Sequence, residues 1–170
     1  QQMRVARDIF CFLCWTGQRF GDYKQLTQSN QLMKKNGHWY WELITAKTSA
    51  RVSIVLPKKA VEICNKYMTP EKQFCMPYMH NQKVNNLIKE ACKTVDINRM
   101  VMKVRYFRGI ADQSLIPLWK AVTVHVARKS YITNLLLQKI PEREVRMLSA
   151  HKTDKNFQKY IDYRDRYLQD

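Results

Sequence analysis

The feature that most constrains the fold is Asn36-Gly37, set between two runs of strand-forming residues. Asn-Gly suits a two-residue hairpin turn, because both central positions need positive φ. The run after it, His38-Trp39-Tyr40-Trp41-Glu42-Leu43-Ile44, is aromatic and branched, as strands are. Gln31 to Lys35 leads into the turn. A third run, Arg51-Val52-Ser53-Ile54-Val55-Leu56, alternates and stops at Pro57. Three short neighbouring runs predict a three-stranded antiparallel sheet, with Lys47 in the turn between the last two.

Around this sheet the apolar spacing is helical. Residues 3–15 read as a buried helix that Gly17 ends. Arg19 to Leu26 reads as a short helix, and Lys58 to Met68 as another begun by Pro57. A loop with Pro70 and Pro77 precedes an amphipathic helix from Asn81 to Val95, with Val84, Leu87, Ile88, Ala91 and Cys92 on one face. Met100 to Phe107 and Leu115 to Trp119 are expected to pair as a hairpin around Gly109. Helices follow from Thr123, read as a cap, to Gln138, from Pro141 to Leu148 and from Asp154 to Leu168. The expected fold is α+β: mainly helical, with a small three-stranded antiparallel sheet. A length of 170 residues fits one domain, 1–170, and both ends read as cut from a longer protein.

Thirty Lys and Arg stand against 14 Asp and Glu, a net charge of +16 spread through the whole chain. A merely soluble basic surface is one reading. A polyanion partner is the sharper one, because clustered cations gain affinity by releasing counterions from nucleic acid. Charge alone does not separate DNA, RNA and an anionic membrane. No apolar stretch reaches the ~18 residues of a membrane span, and no signal peptide is visible. Cysteines at 11, 14, 64, 75 and 92 make an odd count without a disulfide framework, which suggests a reducing compartment. Cys11 and Cys14 form a CxxC pair inside an apolar run, with no second pair to complete a zinc site, so they read as small core residues. The histidines lie far apart, and H-E-x-x-H and D-x-D patterns are absent, so no metal is implied.

Taken singly, the polar residues say little. His125 and Arg128 share a helix face, as many surface pairs do. Arg19 could simply start a helix, His151 could cap one, Tyr160 could be a core aromatic, and Lys47 in a turn would ordinarily be solvated. Their order and spacing carry more. The chain reads Thr16-Gly17-Gln18-Arg19-Phe20-Gly21-Asp22, then Lys47 in a hairpin, then His125-Val126-Ala127-Arg128, then His151, with Tyr160 nine residues later. This resembles the tyrosine recombinase (phage integrase) pattern T-G-x-R-x-x-[DE], hairpin K, H-x-x-R, G-H, and Y nine after that histidine. Ile9-Phe10-Cys11-Phe12-Leu13, Arg128-Lys129-Ser130-Tyr131-Ile132-Thr133 and the text from His151 to Ile161 are similar to the family too, the last to integrases of Bacteroides-type mobile elements. The resemblance spans about residues 7–163. Two positions depart from it: Lys129 stands where His or Arg is usual, and Ala150 where the family has Gly, which puts the loop holding His151 in question.

The resemblance implies a site-specific recombinase catalytic domain without the N-terminal DNA-binding domain. It would act on double-stranded DNA through a 3′-phosphotyrosine, with no cofactor, metal or nucleotide. Arg19 and Arg128 would clamp the non-bridging oxygens, His151 would donate to the same phosphate, and Tyr160 would attack. Lys47 would protonate the leaving 5′-oxygen, His125 would serve as base, and Asp22 would orient the site. Tyr163 and Tyr167 are rival nucleophiles that lack the nine-residue offset. The terminal helix is free to lie aside without DNA, so Tyr160 need not sit with the other five. The family also implies a tetramer on synapsed DNA, a monomer alone, no membrane, and a place in the bacterial cytoplasm at the nucleoid. The alternatives are a type IB topoisomerase-like nicking-closing enzyme and a catalytically silent DNA-binding relative.

Overall fold

A long apolar helix, α1 (Gln2–Thr16), runs through the larger hydrophobic core. Its buried residues Ala6, Ile9, Phe12 and Leu13 recur every three to four positions, the spacing that gathers side chains on one face. Gly17 ends it with φ 66° and donates its N–H to the Leu13 carbonyl. A Cβ at Gly17 would lie 2.1 Å from the Tyr131 ring, so both backbone sign and space require glycine there. The computed structural model describes residues 1–27, 31–69, 76–151 and 153–167, without the side chains of 154–156, 163, 166 and 167. Cys75, Pro70 and Leu168 therefore lie outside the described residues, as do the side chains of the rival tyrosines Tyr163 and Tyr167.

A single-turn helix, α2 (Phe20–Tyr23), and a 3-10 turn, Lys24–Thr27, occupy the segment expected to be one short helix. Three antiparallel strands follow: β1 (Leu32–Lys35), β2 (His38–Ile44) and β3 (Arg51–Val55), in spatial order β1-β2-β3. Asn36 and Gly37 take φ of 50° and 80°, the two positive values that the tight turn needs. Register pairs Trp41 with Leu32 on one side and Ile54 on the other, which puts Trp41, Leu43, Val52 and Ile54 on the buried face. Fully burying a side chain such as Ile54 stabilises the fold by about 1.5–3 kcal/mol.

Helix α3 (Lys58–Asn65) ends earlier than the sequence suggests, in a turn. Helix α4 (Asn81–Thr94) packs Val84 and Ile88 towards α1. The hairpin expected around Gly109 is present but longer on its second arm: β4 (Met100–Phe107) pairs with β5 (Ile110–Pro117), not with Leu115 to Trp119. The two-residue Arg108-Gly109 turn, with φ of 49° and 83°, fixes that register from Phe107↔Ile110 onward. Leu118–Ala121 instead forms a short helix, α5.

Helix α6 (Val124–Leu137) bridges two cores, with Val124 and Ala127 in the larger and Ile132 and Leu136 in the smaller. Thr123 is its N-cap residue, but the side chain makes no capping bond. Asn85 of α4 does that work, its Oδ1 accepting the Val124 N–H at 2.9 Å. Helices α7 (Glu142–Leu148) and α8 (Asp154–Tyr167) close the smaller core, where Val145 and Phe157 meet Ile132. The α+β architecture is as expected, with a two-stranded sheet added to the three-stranded one.

Candidate active site

The six residues singled out in the sequence, Arg19, Lys47, His125, Arg128, His151 and Tyr160, all line one cleft of about 910 Å³. Arg19 is the N-cap residue of α2, two positions after the Gly17 turn. Lys47 is exposed in the β2–β3 turn. His125 and Arg128 lie one turn apart on α6, His151 follows α7, and Tyr160 projects from α8. Lys129 and Lys159 add charge to the same walls.

Arg128 is the buried centre of this arrangement, 2% exposed. Its Nη1 donates to the Gly17 carbonyl at 2.8 Å, and its Nη2 to the Ser149 carbonyl. These carbonyls lie just past the C-terminal ends of α1 and α7, where the helix dipole presents negative charge. A buried guanidinium thus finds compensation in carbonyls, with no carboxylate paired to it among the described residues, which leaves charge to offer an anion. Burial first, and then the charge of Arg19, pull its pKa down to about 10, still far above neutrality. Tyr160 and Asp22 nearby act against that lowering.

Ser149 and Gln18 were not singled out in the sequence, yet both shape the site. The single Ser149 hydroxyl proton goes to the Val145 carbonyl at 2.6 Å. His151 Nδ1, 2.8 Å from that oxygen, is then the donor to it, which leaves Nε2 to accept from Arg128 Nη2 at 3.4 Å. Gln18 Nε2 donates to the Thr16 and Leu148 carbonyls at 3.0 and 2.8 Å, tying the end of α1 to the end of α7. No motif flags a serine or glutamine used this way.

Asp22, 1% exposed, joins two parts of the site. Its Oδ1 accepts the Ala46 N–H at 2.8 Å, next to Lys47, while its Oδ2 lies 3.9 Å from Arg19 Nη1. One carboxylate therefore holds the lysine turn by a hydrogen bond and faces the first arginine as a charge, without a hydrogen bond to it.

Electrostatics keep both histidines neutral. Burial, then Arg128, Arg19, Arg146 and His125, push the His151 pKa down to about 3. Burial, then Lys129, Arg128, Arg19 and Lys47, also lower that of His125. The His151 ring packs against Phe157 and Tyr160, with centroids 5.4 and 5.6 Å away. Ala150 adopts φ 50°, the left-handed region that glycine favours, so the loop keeps a glycine-type turn in spite of its methyl group. Cys11 and Cys14 are half-buried and packed against the larger core, and burial pushes the Cys14 thiol up to about 12. Among the described residues no group of three His, Cys, Asp or Glu side chains could hold a metal ion, and no helix is long and apolar enough to cross a membrane.

Two arginines, two histidines, a lysine and a tyrosine thus line one cleft of an α+β domain. The chain belongs to the phage integrase family, whose family model matches residues 2–166. The fold is similar to that of XerH site-specific recombinase bound to palindromic difH substrate in a post-cleavage complex: TM-score 0.66, 12% identity, 99% of this chain and 45% of that one. It is also similar to the Tn1549 transposon integrase in complex with circular intermediate DNA, with TM-score 0.56, 14% identity, 92% of this chain and 53% of that one. A lambda integrase dimer bound to a COC′ core site matches with TM-score 0.55 and 19% identity, over 94% of this chain and 51% of that one. The chain thus spans about half the length of these structures. Among curated protein sequences none matches it significantly.

Proposed function

We propose that this chain is the catalytic domain, 1–170, of a site-specific DNA recombinase that cuts and rejoins double-stranded DNA through a 3′-phosphotyrosine on Tyr160. The observation that carries the reading is the convergence of Arg19, Lys47, His125, Arg128, His151 and Tyr160 on one cleft. In-line attack by the Tyr160 oxygen places extra negative charge on the non-bridging oxygens. Arg19 and the buried Arg128 meet that charge with planar donor sets that lysine cannot copy. His151 adds a donor to the same phosphate by taking up a proton at Nε2, since its low pKa rises once the phosphate offsets the surrounding cations, while Nδ1–H stays on Ser149. Neutral His125 takes the phenolic proton, and Lys47 delivers one to the departing 5′-oxygen. The tyrosyl ester conserves the energy of the broken linkage, so resealing by a 5′-hydroxyl needs no nucleotide. Four copies act on two synapsed duplexes.

The test is a nicked suicide duplex from which the short fragment bearing the freed 5′-hydroxyl diffuses away. In buffer with EDTA and no nucleotide, the chain is expected to become covalently joined to DNA, visible as a retarded band on a denaturing gel. DNA binding without such a band overturns the catalytic reading.

A further inference from the structure

A second cleft, of about 640 Å³, opens between β3 and α7. His151 lines both clefts, so the second continues from the first at the residue beside the buried Arg128. Strand β3 sends Val52 and Ile54 into the core and Arg51 and Ser53 outward, by simple alternation. Arg143 and Arg146, three apart on α7, lie on one face and form the opposite wall. No acidic side chain lines this cleft among the described residues. Arg51 shares its charge with Glu42 at 3.2 Å, but the pair is 81% and 37% exposed, so a multiply hydrogen-bonding anion competes with it easily.

Three guanidiniums set around a groove suit phosphate oxygens, which they can meet through paired N–H donors. Among the described residues the cleft has no lysine or tyrosine, so it lacks the nucleophile and acid assigned to the first cleft. A free phosphate would need only one of the two clefts, whereas a polymer of phosphates can fill both.

We propose that the cleft between β3 and α7 is a second phosphate subsite for the DNA strand, in which Arg143, Arg146 and Arg51 hold a phosphodiester next to the one attacked in the first cleft. This rests on the recombinase reading and extends it to where the strand runs.

The test uses Arg143→Gln, Arg51→Gln and the double variant, none of them in the first cleft. Affinity for the nicked duplex is titrated across salt concentrations, and cleavage is timed at saturating DNA. Each single variant is expected to weaken binding about three- to tenfold at low salt, and to flatten the slope of log K against log salt by about 0.9 per lost phosphate contact. Saturating cleavage should stay within about twofold of wild type, which also shows that the variants fold. Lys83→Gln on α4 makes the same charge change outside both clefts and should leave the slope alone. An unchanged slope in the double variant overturns the subsite, as does an equal loss in Lys83→Gln, which would reduce the effect to net charge. The slope needs no chemistry. A wild type that binds yet forms no adduct therefore counts against the recombinase reading, and adduct formation with an unchanged slope counts against the subsite alone.

Discussion

At the scale of single residues, two positive-φ positions next to the site make opposite predictions. Gly17 and Ala150 take φ of 66° and 50°. A non-glycine residue in this region costs about 1–2 kcal/mol, and glycine gives back about 0.5–1 kcal/mol through its freer unfolded chain. Ala150→Gly should therefore be neutral or stabilising by up to about 1 kcal/mol in urea unfolding. A clear loss would mean that the buried methyl matters more than the strain. Gly17→Ala adds a clash with Tyr131 to the strain and should cost at least about 2 kcal/mol. His151 supplies a pH prediction. Its folded pKa of about 3 lies below the ordinary 6.5, so as pH falls below 6.5 the unfolded chain takes up a proton that the fold refuses. Stability is intact above that value and is lost progressively towards pH 3. His125 adds to the loss in the same direction. Between pH 6.5 and 4.5, above the carboxylate range, the melting temperature should fall more steeply for wild type than for His151→Gln. Parallel curves would show that His151 does not resist protonation in the fold.

At the scale of elements, the β2–β3 turn is where the site can be taken apart. Asp22 fixes it through Ala46, so Asp22→Ala should loosen Lys47 without removing it. Lys47→Ala is expected to slow cleavage by a factor on the order of 10² to 10⁴, and Asp22→Ala by about 10 to 100. A substrate with sulfur at the bridging 5′ position leaves without a proton. It should restore most of the rate to both variants and little to Arg19→Ala or Arg128→Ala. Rescue of all four alike, or of none, would remove Lys47 from the acid role. The legibility of the elements followed the same physics. Strands β1 to β3 were readable because one face is buried, so Trp41, Leu43, Val52 and Ile54 impose a pattern on the sequence. Strand β5 departs from the expected Leu115 to Trp119 because nearly all its side chains face solvent, so only the Arg108-Gly109 turn sets its register. The six cleft residues were legible through spacing within a family resemblance. Gln18 and Ser149 were not, because their work is done by bonds to helix-end carbonyls and to the His151 ring.

At the scale of the whole molecule, charge dominates. A net charge of +16, with cations spread along the chain, predicts steeply salt-dependent DNA binding. If about six phosphates are neutralised, affinity should fall roughly a thousandfold between 50 and 200 mM salt. A nearly flat titration would contradict a phosphate-led interface. The chain spans about half the length of the solved structures it resembles.

The most direct test of the central claim is to identify the amino acid that carries the DNA. After reaction with a nicked suicide duplex, nuclease trimming and proteolysis, mass spectrometry should find one nucleotide-modified peptide, with the phosphate on Tyr160, and Tyr160→Phe should give none. Modification of Tyr163 or Tyr167, or an adduct that persists in Tyr160→Phe, would contradict the account.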